Sequence, residues 1–198
     1  YLNLDNQKYS INYMKFYKFP FLFLFIFYSM NLFAEKSYFK NISNLLPDQS
    51  ARLSYGVAVT DFDNDGNDEF IVTGFRFSNL ALGFNGERLE NKISNNIFSD
   101  PERSTIGVAA CDMDKDGLEE IYFLNTDTYS GTKRYSDRLL INSQKVIEDL
   151  FEKKINQSEL NLTAGRSVVC VDRKGNGNYG IYVANYGGPT RFYEFIDN

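Results

Sequence analysis

Two segments of the chain carry carboxylates at alternating positions, followed by a glycine and a glutamate. The carboxylates of the first segment are those of Asp61, Asp63, Asp65 and Glu69. Those of the second belong to Asp112, Asp114, Asp116 and Glu120, so every acidic position of D-x-D-x-D-G-x-x-E is repeated. A curling loop with this alternation turns its carboxylates toward one point, where their mutual repulsion favours a bound cation.

The ligand types in these loops indicate calcium. A hard divalent cation takes about six to eight oxygen ligands. Gly66 and Gly117 permit a sharp turn, after which the backbone carbonyls of Asn67 and Leu118 extend the ligand set. Because no His or Cys takes part, zinc and copper are disfavoured, and magnesium prefers a rigid octahedron with several waters. The sequence therefore predicts two calcium ions, one in each loop.

An EF-hand begins in the same way, but the flanks of the two loops exclude it. An EF-hand needs a glutamate at loop position 12, where this chain has Val72 and Phe123. It also needs helices on both sides, whereas β-branched and aromatic runs flank both loops and predict strands. We interpret each loop as a strand–loop–strand site. The alternative is a plain Asp/Gly turn on an acidic surface, without an ion.

A third copy of the pattern, at residues 166–185, has lost part of its acidic set. The loops begin 112 − 61 = 51 and 172 − 112 = 60 residues apart, a period typical of stacked repeat units. Asp172 keeps position one, but Lys174 replaces the carboxylate at position three and Gly180 the one at position nine. We expect no calcium here. Either the Lys174 ammonium replaces the ion by bonding to Asp172 or loop carbonyls, or it points into solvent and the glycines hold the turn.

The runs around the loops predict an all-β fold of repeated sheets. The predicted strands are residues 56–60, 70–75, 80–84 and 88–93, then 107–111, 121–125, 138–142 and 145–150, then 167–171, 180–185 and 190–195, with one further candidate at 38–42. They give blades at about residues 55–93 and 106–150 and an incomplete third blade at about residues 165–198, within a partial β-propeller that occupies residues 35–198. Since propellers close with about four to eight blades, we expect the chain to be part of a longer protein.

A resemblance to known proteins follows from longer segments. The acidic loops resemble the calcium loops of FG-GAP/VCBS repeats, which form blades of β-propellers. The segments IGVAACDMDKDGLEEIYFLNTD, YSDRLL and AGRSVVCVDRKGNGNYGIYVANY are similar to the N-terminal propeller of the cartilage acidic protein family. The resemblance covers roughly residues 38–198 and implies a secreted, calcium-binding, seven-bladed propeller without known catalysis. It implies that this chain holds about three of those blades.

The N-terminal residues have a targeting pattern. From Met14, a short basic region precedes an almost wholly apolar run at residues 19–28, and Ala34 follows. This pattern predicts a signal peptide at residues 14–34 that is cleaved after Ala34, and residues 1–13 have no readable pattern. A membrane anchor is the alternative, but the apolar run is too short for a bilayer core of ~30 Å. We expect a secreted protein, or a periplasmic or cell-surface one in a bacterium.

Composition limits the functions open to this chain. Its formal charge is −5 and it contains no His. An acidic balance disfavours nucleic acid as a partner, and the lack of His removes the commonest general base and a common zinc ligand. We therefore expect an extracellular interaction or scaffold module that binds a protein or a glycan, has no enzyme activity and has no transmembrane span after signal cleavage. The alternative is part of a propeller enzyme or polysaccharide-binding protein whose active site lies in other blades.

The two cysteines occupy different positions in their repeats. Cys111 lies one residue before its aspartate, and Cys170 lies two residues before its own. In strands this difference places them on opposite faces. An oxidising compartment allows a disulfide, but the parity favours two buried free thiols.

Overall fold

The structure is a computed structural model that describes residues 37–47, 50–143 and 146–196. The chain divides into two compact units, residues 1–42 and 43–198. The predicted signal peptide at residues 14–34 and residues 1–13 lie outside the described residues. In the first unit, residues 38–42 are exposed and do not form the predicted strand, because a strand requires a paired neighbour and no described strand pairs with this segment. No helix among the described residues has the length and apolarity needed to cross a membrane.

The second unit consists of three antiparallel sheets, each built from strands that are consecutive in the chain. The first sheet contains β1 Val57–Thr60, β2 Glu69–Val72, β3 Leu80–Phe84 and β4 Leu89–Asn91. The second contains β5 Thr105–Cys111, β6 Glu120–Asn125, β7 Arg138–Ser143 and β8 Val146–Asp149. The third contains β9 Gly165–Val171, β10 Gly180–Asn185 and β11 Arg191–Tyr193. Strand order follows chain order in every sheet, as in propeller blades, which confirms the predicted all-β partial propeller.

The observed strands agree with the predicted ones except at their ends. β5 begins at Thr105 rather than at residue 107, because Thr105 pairs with Asn125 across a β-bulge. β2 ends at Val72 rather than at residue 75. Beyond Val72, the Gly74 N–H donates to the side chain of Asn79 at 2.9 Å instead of to a neighbouring strand.

Short helical segments connect the sheets. Helix α1, Asn96–Ser99, lies between the first and second sheets, and Asn95 caps it by accepting the Ile97 N–H. Two 3-10 segments, Leu150–Glu152 and Lys154–Glu159, lie between the second and third sheets. These segments return the chain from the last strand of one sheet to the first strand of the next.

The core consists of two apolar layers, one on each side of the second sheet. All six residues of β6 are buried. Since alternate side chains of a strand point to opposite faces, β6 contributes to both layers. One layer includes Ile71, Ile121 and Phe123, and the other includes Tyr122, Leu124 and Ile181. The second sheet is therefore enclosed between its neighbours.

Neighbouring sheets approach each other closely at glycines. A Cβ atom on Gly56 would lie 3.0 Å from the Gly107 Cα. A Cβ atom on Gly165 would lie 2.3 Å from the Leu124 Cδ1. Because no larger residue fits at either position without a shift, these glycines set how closely the sheets stack.

A buried arginine joins the first linker to the second sheet. The Arg138 Nε donates to Asp100 at 2.6 Å, and its Nη1 donates to Asp149 at 2.7 Å. All three side chains are at least nine-tenths buried, so loss of Arg138 would leave the Asp149 carboxylate buried without a cationic partner. Arg138 belongs to the YSDRLL segment, which therefore has a structural role.

A second buried network joins the second and third sheets. Lys133 and Asp137 are both fully buried and form an ion pair. Asp137 also accepts hydrogen bonds from the Tyr122 hydroxyl at 2.7 Å and from the Asn161 Nδ2 at 2.6 Å. Because Asn161 in turn donates to Asn185 of β10 at 3.0 Å, the network fixes the third sheet against the second.

Cys111 and Cys170 form a disulfide with their Cα atoms 6.3 Å apart, so the prediction of two free thiols is wrong. The difference in parity is real, but its consequence is the reverse of the predicted one. Both cysteines line the layer between the second and third sheets. In stacked sheets, one face of the second sheet contacts the third sheet. The third sheet contacts the second through the opposite face of its equivalent strands. Opposite parity in neighbouring blades therefore brings the two sulfurs together.

Candidate metal centres

The two complete acidic loops lie at the same end of the first two sheets, in the hairpins β1–β2 and β5–β6. In the first loop, carboxylate oxygens of Asp61, Asp63 and Glu69 lie within 4.8 Å of one another. In the second loop, the same is true of Asp112, Asp114 and Glu120. Calcium–oxygen distances of about 2.3–2.6 Å place ligand oxygens within about 5 Å of one another. Both groups therefore have the spacing of a calcium shell.

The side chain of the aspartate at position one organises each loop by accepting a hydrogen bond from the loop backbone. Asp61 accepts the Gly66 N–H at 2.9 Å, and Asp112 accepts the Gly117 N–H at 3.1 Å. Gly66 and Gly117 have φ values of 89° and 91°, a conformation that glycine adopts without steric strain. The same closed turn therefore forms in both loops.

The residue at position two anchors each loop in the core. Phe62 is 3% exposed and packs against Phe98, with ring centroids 5.9 Å apart. Met113 is 1% exposed and belongs to the apolar layer between the second and third sheets. Because these side chains are buried, the aspartates on either side of them are held in place relative to the strands.

The glutamates at position nine are buried and form no ion pair with any described residue. Glu69 is 1% exposed and Glu120 is 3% exposed. Burial, reinforced by the carboxylates of Asp63 and Asp65, raises the pKa of Glu69 from 4.5 to about 7. Burial likewise raises the pKa of Glu120 to about 7, although the Met113 N–H, 2.7 Å from its Oε2, favours the ionised form.

Two buried oxygens of the first loop have no hydrogen-bond partner among the described residues. They are the Glu69 Oε2 and the Asp63 Oδ1. A buried oxygen without a partner is costly, and two such oxygens on neighbouring carboxylates also repel each other. A hard divalent cation would satisfy both oxygens and neutralise both charges, so the residues present fit such an ion.

The other predicted ligands lie in the same loops but outside these close groups. The Asp65 Oδ1 accepts hydrogen bonds from the Asn67 N–H at 2.8 Å and the Asn67 Nδ2 at 2.9 Å. The Asp116 Oδ1 accepts the Leu118 N–H at 2.8 Å. The structure thus brings together positions one, three and nine, and ligation by positions five and seven stays a prediction.

The third loop, residues 172–180, keeps the turn without the acidic group. Asp172 accepts the Gly177 N–H at 2.8 Å and the Lys174 N–H at 3.2 Å. The bond from Gly177 is the main reason that the pKa of Asp172 is lowered. Within the described residues, the Lys174 ammonium forms no hydrogen bond or ion pair, so of the two alternatives the structure agrees with the one in which the glycines hold the turn. Backbone donors and glycines hold this turn.

One contact to the first loop was not predicted. The Asn142 Nδ2 donates a hydrogen bond to the Phe62 carbonyl. Asn142 lies on β7 of the second sheet, 80 residues along the chain, so no local spacing indicates the pair. The neighbouring blade therefore supports the first loop.

Comparison with known proteins identifies the repeat and its relatives. The FG-GAP-like repeat matches residues 61–123, which contain both complete acidic loops. Cartilage acidic protein 1 of Xenopus tropicalis is 44% identical over 146 residues, or 68% of this chain and 23% of that protein. The Mus musculus protein is 44% identical over 148 residues, with 68% and 23% covered. The Homo sapiens protein is 43% identical over 148 residues, with 68% and 22% covered.

The match covers a large share of this chain but a small share of each relative. It spans 22–23% of their length, so it says nothing about most of their residues. The repeat and the identities agree with the three antiparallel sheets and with the segments quoted for the resemblance. Over the matched region, the chain is a homologue of cartilage acidic protein 1 that carries an FG-GAP-like repeat, which confirms the resemblance predicted from its sequence.

Proposed function

We propose that this chain is a calcium-binding β-propeller region that acts as an extracellular, non-catalytic interaction or scaffold module. The observation that carries the proposal is the burial of Glu69 and Glu120, each grouped with two aspartates of its loop. Buried carboxylates without cationic partners are strongly disfavoured. Bound calcium would remove that penalty at both loops.

The ligand core of each site consists of the grouped carboxylates. Asp61, Asp63 and Glu69 hold the first ion, and Asp112, Asp114 and Glu120 hold the second. Asp65, Asp116 and the carbonyls of Asn67 and Leu118 extend the two shells toward the about six to eight oxygens that calcium takes. Each ion joins the end of one strand to the start of the next, so calcium stiffens the blade.

Three observations support the location and the lack of catalysis. The disulfide between Cys111 and Cys170 suits an oxidising compartment, as does homology to a protein named for cartilage. The sequence contains no His, which is the commonest general base. The cation accounts for the grouped carboxylates, so they need no catalytic role.

Titration calorimetry with isosteric variants tests the metal sites. We expect the intact chain to bind two calcium ions, and Asp63→Asn and Asp114→Asn each to abolish one of them. Asp172→Asn is the matched control, because it alters position one of the third loop and should leave both ions bound. An Asp63→Asn protein that still binds two ions would overturn the ligand assignment.

A further inference from the structure

The end of the sheets opposite to the acidic loops has a cationic and aromatic surface. Two adjoining cavities of about 670 and 590 Å³ open there and share Phe75 and Asp127 in their walls. Phe75 follows β2 and Asp127 follows β6, whereas the acidic loops precede those strands. We call this surface the arginine–aromatic face, defined by Phe75, Arg76, Asp127, Tyr129, Arg134 and Arg166.

One part of this face is an arginine between two tyrosines. The Arg166 guanidinium lies 5.3 Å from the ring centroid of Tyr129 and 5.1 Å from that of Tyr186. The two rings are 5.3 Å apart and nearly perpendicular. The Arg166 guanidinium also donates to the carbonyls of Gly165 and Tyr129, which hold it in place, and Tyr129 is 78% exposed. Its large apolar ring faces are open to a ligand.

The adjoining cavity holds two further arginines on aromatic rings. The Arg134 guanidinium lies 4.9 Å from the Tyr135 centroid, and that of Arg76 lies 5.7 Å from the Phe75 centroid. Among the described residues, neither arginine forms an ion pair. Arg76 also has a φ of 59°, a left-handed conformation that is unusual for arginine and is often found at binding sites.

The charges on this face are mixed, which narrows the class of ligand. Glu102 and Asp127 line the same cavities as the arginines. Guanidinium groups bind carboxylates through paired hydrogen bonds, and carboxylates accept hydrogen bonds from hydroxyl groups. The ligand must therefore offer spaced anionic groups, hydroxyl donors and apolar ring faces together.

We infer that the arginine–aromatic face binds an acidic saccharide, a chain of pyranose rings with carboxylates at intervals. Such a chain supplies the anion for Arg134 and Arg166, hydroxyl donors for Asp127, and ring faces for Tyr129. A nucleic acid offers aromatic bases, but its continuous phosphates would face these carboxylates with few donors. A peptide of glutamate and aspartate alone offers carboxylates without ring faces. This inference names the partner class within the proposed interaction role and rests on it.

The test uses the intact chain with saturating calcium and a hexasaccharide of alternating glucuronate and N-acetylglucosamine. We expect measurable binding by calorimetry at low salt, at least ten-fold weaker binding of the neutral N-acetylglucosamine hexamer, and loss of affinity as salt rises. Arg166→Gln and Arg134→Gln should each weaken hexasaccharide binding at least five-fold, as should Tyr129→Ala. Unchanged thermal unfolding in each variant excludes a folding defect.

Arg173→Gln is the matched control. Arg173 is also exposed, but it lies in the third loop at the other end and pairs with Glu194 at 2.6 Å, so its loss should leave affinity within two-fold. Absence of hexasaccharide binding while two calcium ions remain bound would overturn this inference alone. Tighter binding of hexaglutamate or hexathymidylate would overturn the saccharide assignment. Saccharide binding without any bound calcium would instead overturn the metal proposal and leave this inference intact.

Discussion

The first two acidic loops and the third make the same turn but are fixed in different ways. At position two, Phe62 and Met113 are buried between sheets. Their counterpart Arg173 is exposed, and its guanidinium forms two bonds with Glu194, at 2.6 and 2.8 Å. Exposed ion pairs contribute little to stability, so the third loop is the less firmly anchored one.

The residue at position nine also differs between the first two loops and the third. Glu69 and Glu120 fill this position in the first two loops, whereas the third has Gly180. A Cβ atom there would lie 2.6 Å from the Tyr193 carbonyl oxygen, so β11 occupies the space of a side chain. The turn needs an aspartate at position one and a glycine at position six, and the carboxylates at positions three and nine are an addition to it.

Removal of calcium should break this comparison most strongly, because the proposed function gives an ion to each of the first two loops and none to the third. When free calcium is at a hundred times the Kd of a site, binding at that site raises the free energy of unfolding by about 2.7 kcal/mol. Two ions together correspond to a fall in Tm of roughly 10–20 °C for a domain of this size. Scanning calorimetry with calcium and with a chelator measures it. A Tm that the chelator does not change would contradict calcium binding.

Removal of the disulfide should break the covalent link between the sheets that carry the second and third loops. Cys111 immediately precedes Asp112, and the crosslink spans 59 residues. We expect Cys111→Ala with Cys170→Ala to lower the free energy of unfolding by about 2–4 kcal/mol. Calcium affinity should fall more at the second loop than at the first. If the double substitution left the calcium affinity of the second loop unchanged, the crosslink would not support that site.

Substitution of Gly180 tests why the third loop lacks its glutamate. Gly180→Ala should lower the free energy of unfolding by about 1–3 kcal/mol, because the methyl group would overlap the β11 backbone. Lys174→Asp is the control, since it adds a carboxylate at an exposed position and should leave stability nearly unchanged. Denaturant unfolding compares the two variants. A fully stable Gly180→Ala protein would contradict the steric explanation.

The pH dependence of the metal-free protein gives a smaller effect. The pKa values of Glu69 and Glu120 are raised from 4.5 to about 7. Between these values the native state holds more protons than the unfolded state, so the free energy of unfolding should fall as pH rises. Glu69→Gln with Glu120→Gln should flatten this slope in chelator. Calcium affinity of the parent protein should rise over the same window, and a slope that survives both substitutions would contradict the assignment.

The sequence predicts most of the strands and the acidic loops because both depend on local patterns. Alternating carboxylates and a glycine at position six specify the turn around Asp61 and Asp112 without reference to distant residues. Glu69 and Glu120 lie close to the aspartates of their loops, as the motif spacing predicts, but their burial was not predicted.

The failures involve contacts between sheets. The Cys111–Cys170 pair depends on which faces of neighbouring sheets meet, and the Asn142 bond to Phe62 spans 80 residues. The position of the Lys174 ammonium was left open between two alternatives, because charge spacing alone decides little for an exposed side chain. The pattern of a single sequence does not show which residues of neighbouring sheets face each other, so these contacts could not be predicted from it.

Counting the bound ions tests the central claim most directly. Native mass spectrometry of the intact chain, after exchange into calcium and a volatile buffer, should show two calcium ions per chain. The Lys174→Asp protein should also show two, because Gly180 still leaves position nine of the third loop without a ligand. A parent protein with no bound calcium, or one with a third ion, would contradict the account.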